Sequence, residues 1–302
     1  MNYTCVSLHQ AWAHGRQQSR PLRFMRSRHF IVAAVVCLFG LQCFSIVHYL
    51  NEERYLSNLI DTIAPRSLPP SVQAIKVVES LRTLPVIENS SYFLFPIFSV
   101  LRPMPQQILE QGGDCGDRSR LVIRMLHLRG IQASKWAIYT KEMKSVHAVV
   151  ELESETGKMV ADPLFGLWFP RSDRGYYGIR ELRQSPKILR DRVQSFVAQG
   201  KRPGAVDLRK YPLDDYSYEY AKSVNWEKWA VTWPLYKALS IIMGPSIDNL
   251  QRPAFVEAPQ LMVVIIAGVM QVGLMVLYGG IRIRRRKKYD SDQYSVLRAN
   301  IK

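Results

Sequence analysis

The chain has 302 residues, 47% of them hydrophobic, with 41 Lys plus Arg against 25 Asp plus Glu for a formal net charge of +16. That size suits one good-sized domain with extensions, and the composition excludes a disordered or collagen-like chain. Two uncharged apolar runs, residues 30–50 and 260–281, are each long enough to cross a bilayer as a helix, which takes roughly 20 residues. A purely soluble cytoplasmic protein is excluded.

In chain order, residues 1–29 form a basic tail in which Arg16, Arg20, Arg23, Arg26 and Arg28 face no acid. Residues 30–50 follow as a first transmembrane helix. The run exceeds the ~7 to 15 residues of a signal-peptide core and no A-x-A-like site follows it, so an uncleaved anchor is expected. Cys37 and Cys43, within it, lack the small residue that precedes a lipidated cysteine. Residues 260–281 form the second transmembrane helix and residues 282–302 a second basic tail, rich in Arg and Lys against Asp290 and Asp292. Basic flanks stay on the cytoplasmic side. Both tails are therefore expected inside a bacterial inner membrane, with residues 51–259 in the periplasm or beyond. The membrane is thus an expected partner. The exported segment has 28 basic and 23 acidic residues, too even a balance for a nucleic-acid footprint, and no nucleic-acid partner is expected.

Within that segment, residues 51–110 are punctuated by Pro65, Pro69, Pro70, Pro85, Pro96, Pro103 and Pro105, with short helices expected around 51–62 and 71–82. Residues 111–131 carry clear helix signals: Asp114 as N-cap, Asp117 as a first-turn acid and Gly130 as a stop. The spacing predicts a helix from about Cys115 to Arg129. Leu121, Val122, Met125, Leu126 and Leu128 make its apolar stripe, facing a sheet, while Arg118, Arg120, Arg124 and Arg129 fall mostly elsewhere. Strands are expected at 131–140, 145–153 and 158–162. In the second, His147, Val149 and Glu151 share one face and Val146, Ala148, Val150 and Leu152 the other. A hairpin centred on Ser154 and Glu155 predicts His147 directly beside Asp162. Residues 178–199 read as helical. Residues 211–236 are unusually aromatic (Tyr211, Tyr216, Tyr218, Tyr220, Trp226, Trp229, Trp233, Tyr236), suited to a substrate groove, to headgroup contacts or to ordinary core packing. The fold class expected is α+β.

Cys5 lies in the inner tail, and Cys115 is the one cysteine of the exported segment, so no disulfide is expected within it. At the first turn of a helix, Cys115 lies beside unpaired N–H groups and the positive end of the dipole, which favour a thiolate. His147 is placed to hold the thiol proton and return it to a leaving group, and Asp162 to orient the imidazole. His127 is expected to pack the helix, and Asp117 to serve as a helix-start charge. One Cys and two His without ligand spacing leave no metal site, and no cofactor is called for.

These residues resemble a known family. Gly113-Asp114-Cys115-Gly116-Asp117-Arg118-Ser119, with the helix and Gly130-Ile131 after it, is similar to the cysteine motif of the transglutaminase-like, papain-related thiol superfamily, especially its bacterial members. His147-Ala148 before Val149-Val150-Glu151 resembles that family's histidine strand, and Asp162-Pro163 its aspartate motif. The resemblance covers roughly residues 105–170. Val149 stands where members often carry Trp, and Lys135 where they often carry Arg; neither is a triad residue. The resemblance implies a transglutaminase-like or papain-like core, with the cysteine helix packed on an antiparallel sheet. It also implies acyl transfer through a thioester, from a peptide or protein amide to water (protease or amidase) or to an amine (cross-linking). An oxyanion hole is needed, with the Cys115 N–H as one donor and Gln106, Gln107 or Gln111 as another. Two other readings stay open. One is a catalytically idle peptide- or glycan-binding scaffold of an envelope assembly. The other is a subunit of an export or polysaccharide-assembly apparatus with an incidental thiol, although neither membrane run holds an Asp, Glu, Lys or Arg for a transport path.

Overall fold

The computed structural model describes residues 19–87, 103–142, 144–211, 217–224, 226, 232–250 and 254–300. Cys5, Arg16, Pro96, Tyr216 and Trp229 lie outside the described residues. Among the described residues the first elements are the helices α1 (Ser19–Ile63), α2 (Pro70–Ser80), α3 (Pro105–Gln111) and α4 (Cys115–His127). Strands β1 (Ala133–Tyr139), β2 (Ser145–Ser154), β3 (Gly157–Asp162) and β4 (Leu167–Trp168) follow. Then come α5 (Ile179–Gln184), α6 (Pro186–Ala198), β5 (Ser217–Lys222), α7 (Thr232–Met243) and α8 (Pro259–Asn300). The architecture is α+β. Its sheet runs β4-β3-β2-β1-β5 with every neighbouring pair antiparallel. Two helices, over His29–Ile63 and Pro259–Arg284, are long and apolar enough to cross a membrane.

The chain forms two compact units, drawn from the described parts of Met1–Val47 with Val263–Lys302 and of His48–Met262. In the first unit α1 and α8 run antiparallel and exchange reciprocal clasps. Gln42 Nε2 donates to the Val264 carbonyl at 3.1 Å, and Gln271 Nε2 donates to the Val35 carbonyl at 3.2 Å. In hydrocarbon such amide bonds hold helices together because their polar groups have no water to turn to. Outward-facing Phe39, Phe44, Val269 and Val276 are exposed, as suits a lipid surface.

The second unit holds the sheet. No Gly or Pro interrupts residues 41–64, so α1 continues past the apolar run to Ile63, and the separate helix expected at 51–62 is its last three turns. Leu56 and Ile60 on that extension are fully buried. They pack with Val77 and Val78 of α2, with Leu121, Val122, Met125 and Leu126 of α4, and with Val150, Leu152, Met159 and Ala161 of the sheet. The opposite sheet face (Trp136, Ile138, Val149, Val160) is covered by Phe165, Ile179, Leu182, Leu189, Val193 and Tyr211. Both faces are therefore dry, which is why β2 reads as a run of apolar residues. The helical stretch expected at 178–199 is two helices, because Pro186 cannot continue α5 and opens α6 instead.

The arginines of α4 depart from a solvated face. Arg118, Arg120 and Arg124 are as buried as the apolar stripe, so α4 is enclosed on all sides. Each guanidinium is matched. Arg120 pairs with Asp117, and Arg124 meets Glu52 of α1 at 3.3 Å. Arg118, with no exposed surface, donates to the carbonyls of Gly113 (3.1 Å), Leu81 (2.5 Å), Leu84 (2.5 Å) and Pro85 (2.9 Å). Desolvation lowers its pKa.

This bracket binds the chain after α2 to the start of α4. Arg118→Met keeps the aliphatic stem but removes the guanidinium donors; Leu81 and Pro85 keep the backbone N–H groups of Leu84 and Gly113, whereas the Gly113 and Leu84 carbonyls lose the donor Arg118 gives them, at about 1–3 kcal/mol for each one that stays unsatisfied. We expect a cooperative loss of stability of roughly 3 kcal/mol or more, read as a lowered thermal midpoint of the purified protein. An unchanged midpoint would mean that the segment is held by other contacts.

Candidate active site

The site starts from the local chemistry at the head of α4. Asp114 has extended backbone geometry, and its Oδ1 accepts the Asp117 N–H at 2.7 Å. Asp117 in turn reaches back toward the Asp114 N–H, its Oδ2 lying 3.5 Å away. This reciprocal cap fixes Cys115 as the first helical residue. The two preceding glycines are steric requirements. Gly112 has φ +92°, and a Cβ there would lie 2.0 Å from the Pro85 carbonyl oxygen; a Cβ on Gly113 would lie 2.8 Å from Asp117 Cβ.

The second part comes from the β2–β3 hairpin. Its register pairs Ser154 with Gly157 and Val150 with Ala161. The turn is thus Glu155-Thr156, and continuing the register sets Asp162 opposite Val149 rather than His147. The expected direct pairing is wrong by two residues because the turn closes one residue later, with Ser154 as its first flanking residue. Its hydroxyl donates to the Gly157 carbonyl at 2.7 Å, and Gly157 adopts φ +116°. A slip of two keeps both side chains on the same face, and diagonal neighbours remain within side-chain reach. His147 Nε2 lies 2.6 Å from Asp162 Oδ2, with both residues buried. Asp162 Oδ1 accepts the N–H groups of Leu164 and Phe165, each at 3.1 Å, so the carboxylate is locked by the turn that its own Pro163 begins.

The two parts meet at the imidazole. The Cys115 side chain is hydrogen-bonded to His147. With Nε2 committed to Asp162, the nitrogen left for the sulfur is Nδ1. Burial disfavours the charged ring, but the Asp162 carboxylate outweighs that penalty, with a further contribution from Cys115, and the His147 pKa is raised. Phe165 and Tyr211 wall the ring edge-on, at centroid distances of 5.5 Å and 6.2 Å. Cys115 alone of the three is half-buried rather than closed off.

Ser119 carries a role that its place in the sequence motif did not reveal. Its hydroxyl lies 2.7 Å from the Cys115 carbonyl and 3.3 Å from the Ala148 carbonyl, bracing the cysteine turn against the residue after His147. The signal was present: four residues on, Ser119 shares the helix face of Cys115. Phe165 gave no such signal, because it reaches His147 only through the fold of the Asp162 loop.

The other sequence candidates stand as follows. His127 sits at the far end of α4, its Nε2 3.0 Å from the Ala133 carbonyl, and burial lowers its pKa; it packs the helix and lies away from the thiol. Asp117 serves the cap and Arg120. Gln106 donates to Glu110 at 2.9 Å, and the Gln107 side-chain oxygen accepts the Met104 N–H at 2.9 Å. Gln111 is exposed at the end of α3. Of the aromatic stretch, Tyr211 reaches the imidazole, whereas Trp226, Trp233 and Tyr236 cluster with one another. Val149 pairs with Trp136 across β1, and Lys135 meets Glu257 at 3.3 Å.

Comparison with known proteins yields no matching family model, no matching curated protein and no matching solved structure.

Asp162→Asn retains an acceptor for Leu164 and Phe165 while removing the charge that His147 faces. A histidine pKa raised above its unfolded value of about 6.5 contributes stability that is fully present below that pH and is lost as pH rises through the folded value. The thermal deficit of Asp162→Asn relative to wild type should therefore be widest near about pH 6 and shrink in alkaline buffer. A deficit independent of pH would show that the carboxylate does not hold the imidazolium.

Proposed function

We propose that this chain is a membrane-anchored thiol acyltransferase or hydrolase of the transglutaminase-like kind, acting on peptide or amide bonds outside the cytoplasm. The observation that carries this reading is the relay from an accessible Cys115 through a buried His147 to a buried Asp162, closed by a 2.6 Å contact. A nucleophile, a base in contact with it, and a third group orienting that base are the parts that covalent acyl transfer requires.

In the proposed cycle the Cys115 sulfur, its proton held by His147, attacks the amide carbonyl carbon and the carbonyl π electrons move to oxygen. The Cys115 and Gly116 N–H groups, at the first two helical positions, have no carbonyl partner within the helix and are free to receive that oxyanion. Collapse breaks the C–N bond, the amine leaves with the proton from His147, and a thioester remains. Water or a second amine then attacks the thioester and passes its proton to the imidazole, and the acyl product departs. Asp162 stabilises the imidazolium at both stages.

The basic flanks of both apolar helices support an arrangement with the two tails in the cytoplasm and residues 51–259 outside. In a bacterial cell the substrates, and any assembly partners, would then belong to the envelope.

Treatment of the intact protein with iodoacetamide should alkylate Cys115, resolved by mass spectrometry from Cys5, Cys37 and Cys43. His147→Ala should slow that alkylation about 100-fold or more at neutral pH. Equal rates, or full cellular function of Cys115→Ala, would overturn the enzyme reading and leave a peptide- or glycan-binding scaffold. Reporter fusions to each terminus should register both in the cytoplasm; an outward-facing terminus would reverse the sidedness argued from charge.

A further inference from the structure

The helix α7 has no buried residue. Its outward side, spaced i, i+3, i+6 and i+7, consists of Leu235, Ala238, Ile241 and Ile242, all exposed and all apolar. Ile241 is 85% and Ile242 80% exposed, more than Phe30 at 73% or Val269 at 68% on the two membrane helices. Water is thus no better a neighbour for this face than for the spans themselves. The inner side is only half-covered, and there Tyr236 stacks on Trp233 at 5.4 Å and meets Trp226 at 5.9 Å. The one charge of the helix, Lys237, holds its ammonium 5.5 Å from the Trp233 ring.

We propose that α7 lies in the outer headgroup region of the membrane that anchors the chain, with Leu235, Ile241 and Ile242 in the lipid. Three observations favour lipid over other occupants. First, only fifteen residues, partly wound into the 3-10 turns Gly244–Asn249 and Ala254–Glu257, tie Met243 to Pro259, where the second apolar helix begins. Second, the unit to which α7 belongs itself contains the residues just after the first apolar run and at the start of the second, and there Gln260 of α8 donates to Glu52 of α1 at 2.7 Å. Third, a short helix with a bare apolar face, Trp and Tyr beside it and a single Lys is the composition of an interfacial segment, the amine reaching toward headgroup phosphate while the aliphatic side enters the acyl boundary. This inference rests on the two spans and is independent of the chemistry at Cys115.

The test uses the full chain in nanodiscs of mixed zwitterionic and anionic phospholipid. Cys5, Cys37, Cys43 and Cys115 are replaced by serine, and an environment-sensitive fluorophore is attached through Ile242→Cys or, as a control on an exposed loop, Asp173→Cys. At Ile242 we expect blue-shifted emission, quenched several-fold more by lipids with a doxyl group near the headgroup than by aqueous iodide. The control should show the reverse. Quenching at Ile242 by iodide alone would place the helix in water and overturn the proposal. Protection from both quenchers would show the face covered by protein, another segment of this chain or a second copy, and would overturn it equally.

Discussion

The head of α4 is the constraint on which the rest depends. A cysteine can be the first residue of a helix only if the backbone before it leaves the helical path and the first turn is capped. Here Gly112 turns through φ +92° against the Pro85 carbonyl, Asp114 and Asp117 cap each other, and Arg118 ties the same turn to Leu81, Leu84 and Pro85. The guanidinium is buried among carbonyl oxygens, an arrangement stable only because its donors are shared among acceptors held in fixed positions. The sulfur is thereby placed by backbone geometry, and little is left to side-chain freedom.

A buried polar knot further along α4 joins the helix to the chain's two apolar elements. Arg124 meets Glu52 of α1, and Glu52 also accepts from Gln260 of α8, all three being buried. Ion pairs of this kind rarely add net stability over apolar packing, because desolvation consumes most of the attraction. Their effect is on specificity: one slipped turn of α1 would leave a charge buried without its partner. The ten residues from Cys115 to Arg124, nine rises of about 1.5 Å, make a rigid rod of about 14 Å. The rod's ends are thus defined separately, by the capped turn and by this knot.

Much of this was legible in the sequence, and the failures have physical causes. The N-cap Asp114, the start of α4 and the three strands were readable because capping and period-two patterns are local. The faces of β2 were also readable, but the partner of His147 was not. Turn closure at Glu155-Thr156 rather than at Ser154-Glu155 depends on one serine hydroxyl and a positive-φ glycine, and it changes the pairing by two residues without changing the face. The burial of the arginines was not legible for a different reason: most partners of Arg118, and the Glu52 partner of Arg124, lie 33 to 72 positions away. Likewise the wall of Phe165 and Tyr211 exists only because the Asp162 loop and the segment after α6 converge on one ring.

The unequal exposure of the three site residues has a mechanistic consequence. His147 and Asp162 are sealed beneath Phe165 and Tyr211, so neither exchanges freely with solvent, whereas the sulfur is open enough to be reached. Sealing penalises the charged ring but also strengthens the imidazolium–carboxylate attraction by lowering the local dielectric, and the attraction to Asp162, with Cys115 adding to it, raises the His147 pKa against that penalty. It also fixes the ring, since Nε2 cannot leave Asp162 without uncovering a buried carboxylate. The remaining freedom is the approach of α4 to β2, and Ser119 spans that gap between the Cys115 and Ala148 carbonyls. Its one proton is shared between a close carbonyl on its own helix and a more distant one on the strand, so the hydroxyl links α4 to β2 beside the site.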